Sequence, residues 1–440
     1  MINLMVERPR LRWLAVGVAA LVVAVAVCAL AGLPPALPLV LALLAAVASR
    51  PVPGMAYALT VFTVPAGLGL LGVEAFVGAA FGGRDYALGL SAAVVVGVLF
   101  LLAARHWLAT HWKPVAAAAA VIAVWALIGI AHHGAAQTLV GVRLIVLPVL
   151  VAGVLLALDA PRLARLLDVL AWLVVANAVA AVAEVVVGPA RLVAWDLDRH
   201  LSIRYIGETF RVPGLTTVNA ELGMLAGAYL LGYAALWLST VATPRRWVWH
   251  AGAGAAVVCL GLSTSRSGAV LVAAGVLAGV LLNRSGGPVL RRRLRVAGLA
   301  AVGLMIAGFA VLGATGAGSL FQRFDVWTDL LRAGVPPWGL GIGAVGAATT
   351  SRVASGTQVY VDNYYVSLAV QLGPVAAVAL VALAAYALVR LWRRAGSQPA
   401  LLAPVTVGCG LAAAFLLIEG WEYVGAMAAL ALFVAYPTRC

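Results

Sequence analysis

Apolar runs of 16 or more residues follow one another along most of this chain, and only short polar stretches separate most of them. A transmembrane helix needs about 17–25 such residues, and a soluble domain has no means of burying so many apolar segments. Only 10% of the 440 residues are charged while 64% are hydrophobic, so they provide too little polar surface to face water. The runs also lack the alternation of outer-membrane β-strands. The sequence therefore predicts an all-α polytopic membrane protein.

About fourteen runs qualify as transmembrane helices, or twelve if the two shortest marginal runs are left out. The predicted spans are 13–32, 34–49, 55–80, 86–104, 114–131, 138–158, 164–187, 219–240, 247–264, 267–282, 296–314, 362–389, 401–418 and 422–437.

The basic residues indicate how these spans are oriented. When the amino terminus is placed in the cytoplasm, nineteen of the 29 basic residues fall in cytoplasmic segments. Cytoplasmic loops of membrane proteins are enriched in Lys and Arg, so both termini are expected in the cytoplasm. The same rule accounts for most of the net charge of +14, and no nucleic-acid partner is expected.

Two connections on the outer side are much longer than the others, at residues 188–218 and 315–361. Long loops on a rigid helical scaffold commonly carry function. Aromatic residues over 321–331 recur at helical spacing, so we expect short amphipathic helices in these loops. The loops separate three groups of helices, at 1–187, 219–314 and 362–440.

Three arginines lie where the anionic headgroup of an amphiphile would sit. Arg211 precedes the span that begins at Asn219, Arg266 lies in a hydroxyl-rich hairpin, and Arg143 is near the outer end of a span. A buried arginine is costly in hydrocarbon and marks a candidate functional site, although an arginine extending to water is the alternative for Arg266. The guanidinium fork matches two phosphate oxygens, and small neighbours such as Ser265 allow a close approach.

Asp362, Asn363 and Tyr364 begin an apolar run at the end of the second long loop. An Asp or Asn in this position could simply cap the helix. Alternatively, Asp362 could act as a general base, because a carboxylate at a half-dry interface can have its pKa raised toward neutrality. Other candidate bases are His133, Glu208 and Asp325.

The remaining patterns carry less information about function. Glu419 and Glu422 near the last span are interpreted as a solvated cap, and the glycines of 341–346 as a re-entrant turn, because no βαβ unit surrounds their GxGxxG pattern. The cysteines show no metal-ligand spacing. Asp196 and Asp198 form a single DxD pattern on the outer side, so no metal or other cofactor is expected.

The order of these features resembles that of the O-antigen ligase and polysaccharide polymerase superfamily of bacterial inner-membrane proteins. The matching segments are Arg211 to Asn219, Ser263 to Gly268, and Arg323 to Gly373. They cover roughly the central third to half of the chain, and the other helices match only in hydropathy. Membership implies location in the bacterial cytoplasmic membrane, with membrane lipids as neighbours.

The resemblance implies a metal-independent glycosyltransferase. It would move a glycan from a polyprenyl-pyrophosphate carrier to an acceptor hydroxyl, on a glycan or lipid, at the outer face of the membrane. In-line attack would invert the anomeric centre, with Arg266 and Arg211 offsetting the leaving charge and Asp362 as the base. The residues expected to contact substrate are Arg143, Asn219, Ser265, Arg323, Asn363 and Tyr364.

Asp362 stands where ligases of this family commonly have His, and this departure favours a polymerase or an unusual transferase over a lipid A core ligase. A flippase for lipid-linked oligosaccharides is the main alternative, but it should have its cationic residues in a central cavity that opens to both sides. A receptor or structural membrane protein is the third possibility, and it leaves the arginines unexplained.

Overall fold

The computed structural model describes most of the chain and leaves out its first residues and parts of the loops. The described residues are 34, 37–80, 87–197, 201–206, 208–239, 246–282, 292–293, 296, 298–300, 303, 325–330, 332, 334–350, 359, 361–395 and 397–440. The predicted span at 13–32 and most of the one at 296–314 lie outside these residues, and so does Arg323.

The first half of the chain forms a succession of helices. Most of the breaks between the helices come at Pro or Gly. Proline is suited to the first turn of a helix because it has no main-chain N–H to leave unpaired, and glycine commonly ends a helix. The helices are α1 (Leu37–Ala48), α2 (Pro51–Thr63), α3 (Pro65–Leu70), α4 (Val73–Ala80), α5 (Ala87–His133), α6 (Ala135–Ala157), α7 (Ala160–Val187) and α8 (Pro189–Ala194).

The second half begins with a small hairpin and continues as shorter helices. The elements are β1 (Arg204–Ile206), β2 (Thr209–Arg211), α9 (Asn219–Ser239), α10 (Trp247–Ser263), α11 (Arg266–Leu282), α12 (Ala347–Thr350), α13 (Tyr364–Leu372), α14 (Pro374–Ala395), the 3₁₀ turn η1 (Pro399–Leu401), α15 (Leu402–Ala414), η2 (Gly420–Glu422) and α16 (Val424–Ala435). β1 and β2 pair antiparallel, with Arg204 opposite Arg211.

The protein is an α-helical membrane protein, as the sequence predicted. Six helical segments among the described residues are long and apolar enough to cross a bilayer, and α1 with α2, bent by 119°, makes up to seven. Long α5 counts as two of them, Ala87–Arg105 and Leu108–His133, and its backbone leaves helical geometry at His111. The count of fourteen spans stays a prediction.

Two details differ from the sequence-based expectation. The predicted span 55–80 is broken into α2, α3 and α4, because Val64 departs from helical geometry before Pro65 and Gly72 has a positive φ. The first long loop contains the short helix α8 but also the β1–β2 hairpin, which the sequence reading did not anticipate.

Side-chain contacts set the directions of the central helices. Trp249 at the start of α10 donates to Asp168 near the start of α7 at 2.9 Å, and Cys259 further along α10 lies against Val174, so these two helices run parallel. α9 runs antiparallel to both, because Asn219 donates to the Ser263 carbonyl.

Several central helices end at one level inside the bundle, which we call the helix-end layer. Asn177 of α7 donates to the Thr63 carbonyl at 3.0 Å, Asn219 to the Ser263 carbonyl at 3.1 Å, and Trp421 to the Ile145 carbonyl at 3.1 Å. The layer therefore includes the last residue of α2, the first of α9, the turn between α10 and α11, and the turn between α15 and α16.

The helix-end layer lies well below the end of the bundle at which α6 begins and α7 ends. Asn177 is ten residues before Val187, and Ile145 is ten residues after Ala135. At 1.5 Å per residue, both helices place the layer about 15 Å below that end. This explains why α10, α11, α15 and α16 are shorter than a full span: they stop at the layer.

Candidate active site at the helix-end layer

Arg211 and Arg266 meet at the turn between α10 and α11. Strand β2 carries Arg211 there, and its Nε donates to Thr264 Oγ1 at 3.1 Å. The next residue, Val212, donates its N–H to the Leu262 carbonyl at 3.4 Å. Arg266 is the first residue of α11, two positions after Thr264. We call residues 263–266 together with Arg211 the arginine turn. The structure thus brings together two arginines that are 55 positions apart in sequence.

Close packing against α9 holds the arginine turn in place. A Cβ on Gly223 would lie 2.0 Å from Ser265 Cβ, so only glycine fits at this position. Ser265 is 5% exposed and its hydroxyl lies 3.1 Å from that of Ser267. Asn219 is 1% exposed and uses its amide to fix Ser263. Ser265 and Asn219, two of the six predicted substrate-contact residues, therefore lie at the site, and each has a structural contact within it.

Two buried polar residues of α7 hold the segment 212–217 at the same depth. Glu184 accepts from the Gly214 N–H at 3.0 Å, and Asn177 accepts from the Leu215 N–H at 3.0 Å. Non-helical backbone at membrane depth is stable only where protein or water satisfies its polar groups. The structure thus gives Glu184 a role in positioning this segment.

Asp362 and Asn363 have different structural roles. Asn363 is the N-cap of α13, and its Oδ1 accepts from the N–H groups of Tyr365 and Val366. Its Nδ2 donates to the Leu416 carbonyl at 3.3 Å, which ties it to the end of α15. Asp362 is not the cap. It has a left-handed backbone with φ of 51° and a partly exposed side chain. The capping interpretation therefore applies to Asn363 alone.

A left-handed backbone is uncommon in residues other than glycine, because it costs free energy. Such strained residues occur preferentially at functional sites. Three non-glycine residues in the described part have it: Asp196, Thr264 and Asp362. Thr264 receives the hydrogen bond of Arg211, and Asp362 is the predicted base. Two of the three are therefore at the candidate site.

Glu419 and Glu422 are not a solvated cap, and that interpretation was wrong. Glu419 is only 4% exposed. Its Oε1 is buried without a hydrogen-bond partner among the described residues. Glu422 Oε2 accepts from the Ala347 N–H at 2.7 Å, and Gly346 leaves room for this carboxylate. Sequence reasoning missed that both glutamates belong to the site. The signal that could have indicated it is an acidic residue beside a glycine between two apolar runs.

Glu419 and Asp362 interact electrostatically, as do Glu419 and Glu422. We call residues 415–423 together with Asp362 the carboxyl turn. Both turns pack on α9, because Met224 Cε is 3.0 Å from where a Cβ on Gly420 would lie, and the preceding residue, Gly223, packs on Ser265.

Burial raises the pKa of Glu419 in the carboxyl turn. For Glu419, the loss of solvent is the largest cause, and the charges of Glu422 and Asp362 add to it, so its pKa lies well above the usual range. A proton on Glu419 removes the cost of burying its charge.

Tyr364 and the glycine turn at 334–346 surround the carboxyl turn. The Tyr364 ring stacks on Trp421, with centroids 6.4 Å apart and an interplanar angle of 23°. In the glycine turn, the Gly343 N–H donates to Gln371 Oε1 at 2.9 Å. The turn is wedged between α5 and α6, since a Cβ on Gly141 would lie 2.9 Å from Gly343.

The third predicted arginine, Arg143, faces α5. Its Nη1 is 2.9 Å from where a Cβ on Gly89 would lie, so its guanidinium packs over α5. The alternative base His133 contacts the Leu340 carbonyl at 2.9 Å, which assigns it to the glycine turn. Glu208 and Asp325 are exposed.

Comparisons with models of known protein families, with curated proteins and with solved structures give no significant match for this chain. The assignment of a function therefore depends on the site itself.

Proposed function

We propose that this protein is a membrane glycosyltransferase. It would transfer a glycan from a polyprenyl-pyrophosphate carrier to an acceptor hydroxyl of a glycan or lipid, at the outer face of the bacterial cytoplasmic membrane. The observation that supports this most is the helix-end layer, in which the arginine turn packs on Gly223 of α9 and the carboxyl turn packs on the next residue, Met224, inside an apolar bundle. A lipid-linked donor needs these features: an apolar route for its chain, positive charge for its pyrophosphate and a proton acceptor.

Arg211 and Arg266 would bind the pyrophosphate. Their side chains are partly exposed, so they are accessible to a ligand, and Thr264 orients the guanidinium of Arg211. Arginine stays protonated at physiological pH and presents a fork of donors to phosphate oxygens. In a site with little water, this positive charge stabilises the charge that develops on the leaving group. Asn219 and Ser265 keep the turn in the required position.

Asp362 would act as the general base. Its carboxylate accepts the proton of the acceptor hydroxyl, and the acceptor oxygen forms a bond to the anomeric carbon. The bond from that carbon to the phosphate oxygen breaks, and its electron pair stays on the pyrophosphate. Attack from the side opposite the leaving group inverts the anomeric centre. Neither a nucleotide nor a metal ion is required by this scheme.

The proposed topology follows from the charge distribution. With both termini in the cytoplasm and about fourteen spans, the long loops 188–218 and 315–361 lie outside, above the helix-end layer. The arginine-rich segments 291–295 and 390–394 then lie at the cytoplasmic side.

The direct test is transfer by purified protein in detergent or vesicles, with a synthetic polyprenyl-pyrophosphate oligosaccharide as donor. We expect release of polyprenyl pyrophosphate together with a lengthened acceptor, and the same rate in EDTA as in magnesium. Loss of activity in EDTA with recovery in magnesium or manganese would refute the metal-independent mechanism.

The same preparation discriminates the transporter alternative. A flippase in vesicles would move the labelled donor between leaflets without cleaving it. Movement of intact donor with no transfer to any acceptor would therefore refute the glycosyltransferase proposal.

A further inference from the structure

Arg143 is the one charged residue of α6, a helix long and apolar enough to cross the bilayer. It lies eight residues after Ala135, so its Cα is about 12 Å below the end of the bundle at which α6 begins. The side chain is partly buried. A charged side chain at this depth is costly, and it marks a site whose counter-charge should be identified.

The described part of the protein does not supply this counter-charge. The Arg143 guanidinium makes neither a hydrogen bond nor an ion pair with any residue that the structure describes. Arg246 differs, because it pairs with Asp168. An uncompensated charge away from water is strongly destabilising, so an anion from outside the described chain would stabilise Arg143.

The position of the guanidinium increases the need for an anion. Nη1 lies 2.9 Å and Cζ 3.7 Å from where a Cβ on Gly89 would be, and no other side chain or neighbouring helix of the described part comes within 4 Å of that point. Gly89 is the third residue of α5, where the free N–H groups give the helix a partial positive charge. A cation is disfavoured at this end of a helix.

Lipid can reach Arg143 along the surface of α6. Leu139 lies one turn earlier on the same face, and it is 65% exposed. Long side chains of a helix point back toward its first residue, so Arg143 extends toward the level of Leu139 and toward the nearer membrane surface. In the proposed topology this is the outer surface. The headgroup of a lipid that packs against Leu139 is then within reach of the guanidinium.

We propose that Arg143 binds the phosphate of an anionic phospholipid in the outer leaflet, of the phosphatidylglycerol type. The guanidinium fork matches two phosphate oxygens. One arginine balances the single charge of a phosphodiester, whereas a pyrophosphate carries more than one, so a phospholipid fits this residue better than the proposed donor does. The bound headgroup would offset the charge of Arg143 and join the start of α5 to α6. The inference does not depend on the proposed transfer reaction.

The first test measures the thermal unfolding midpoint of the full-length protein in lipid nanodiscs. In phosphatidylcholine alone, Arg143→Gln should unfold at or above the wild-type midpoint, because it removes an unpaired charge. Phosphatidylglycerol in equal amount should raise the midpoint of wild type and raise that of Arg143→Gln much less, since a ligand of the folded state stabilises it. Arg191→Gln is the control, because this exposed arginine of α8 should leave the lipid response unchanged.

The second test measures binding itself, by native mass spectrometry of the detergent-purified protein with added phosphatidylglycerol. Arg143→Gln should bind the tightest phosphatidylglycerol roughly fivefold more weakly than wild type, the effect of one arginine beside an anionic lipid. Arg143→Lys should lie between them, because it keeps the charge but lacks the fork.

Three outcomes would overturn the proposal. A midpoint of Arg143→Gln below that of wild type in phosphatidylcholine would mean that the chain itself balances the charge, and Asp85→Asn would then show the same loss if this acid, the nearest to Gly89 in sequence, is the partner. Equal stabilisation of wild type and Arg143→Gln by phosphatidylglycerol would place the lipid elsewhere. Stabilisation by millimolar inorganic phosphate as strong as that by phosphatidylglycerol would identify a free anion as the ligand.

Discussion

The arginine turn and the carboxyl turn lie at the same level of the bundle but bear their charge in different ways. Arg211 and Arg266 are partly exposed, and their charge is permanent. Glu419 is almost fully buried, and a carboxyl in that position can become neutral by taking up a proton. Permanent charge is thus kept where a ligand can reach it, while titratable charge is kept in the interior. This division suits binding an anion at one turn and moving a proton at the other.

The largest expected effect concerns the arginine turn. Arg266→Ala and Arg211→Ala should each abolish transfer, because the leaving pyrophosphate loses its counter-charge, while the protein still inserts and folds. Lysine at either position should restore little activity, since a point charge lacks the bidentate fork. Transfer rates and donor binding of purified variants are the measurements.

Arg191→Ala is the control for this comparison, because Arg191 is an exposed arginine on α8 in the same loop. It should keep wild-type activity. Full activity in Arg266→Ala would show that the arginine turn has no part in the mechanism. The proposed division of anion binding and proton transfer between the two turns would then be wrong.

The next effect concerns the carboxyl turn. Asp362→Asn should lower the rate of transfer by roughly 10²–10⁴-fold with donor binding preserved, because the amide does not accept the proton. The fold should be retained, since Asn tolerates the left-handed backbone and Asn363 still caps α13. Turnover and donor binding measured on one preparation separate catalysis from stability.

Asp329→Asn serves as the control and should behave as wild type, because this carboxylate of the second long loop is 76% exposed. Near-normal turnover in Asp362→Asn would transfer the role of base to Glu419, His133, Glu208 or Asp325. Among these, only Glu419 lies in the carboxyl turn. If Glu419 is the base, the carboxyl turn keeps its role in proton transfer.

Hydropathy predicted the helical membrane class because burial of apolar runs in lipid depends on local composition. It did not predict where helices stop. The run 55–80 reads as one span, but Val64 and Gly72 break it, and α10 and α15 end at the helix-end layer because of contacts with distant helices. Such ends depend on partners such as Asn177, which the sequence alone does not reveal.

The candidate site was likewise predictable only in part, because some of its residues stand out in the sequence and others depend on contacts between distant segments. Arg211, Arg266 and Asp362 were identified because charges in apolar surroundings are exceptional. The roles of Glu184 and Glu419 were missed, since each depends on a segment from elsewhere in the chain: 212–217 for Glu184, and the surroundings of Asp362 for Glu419. Arg143 also fits the sequence pattern, yet its guanidinium packs over Gly89.

The smallest expected effect tests the packing that joins the two turns. Gly223→Ala would place a Cβ 2.0 Å from Ser265 Cβ, so the arginine turn must move away from α9. Overpacking of this kind costs about 1–3 kcal/mol of unfolding free energy. Gly254→Ala in α10 is the matched control, because a Cβ there meets nothing within 4 Å. The thermal unfolding midpoint in detergent should fall for Gly223→Ala and be kept or rise for Gly254→Ala. Donor binding should weaken only in Gly223→Ala, because that substitution displaces Arg266 while leaving Asp362 in place. If Gly223→Ala lowers the midpoint but binds donor as wild type does, the arginine turn is not the pyrophosphate site.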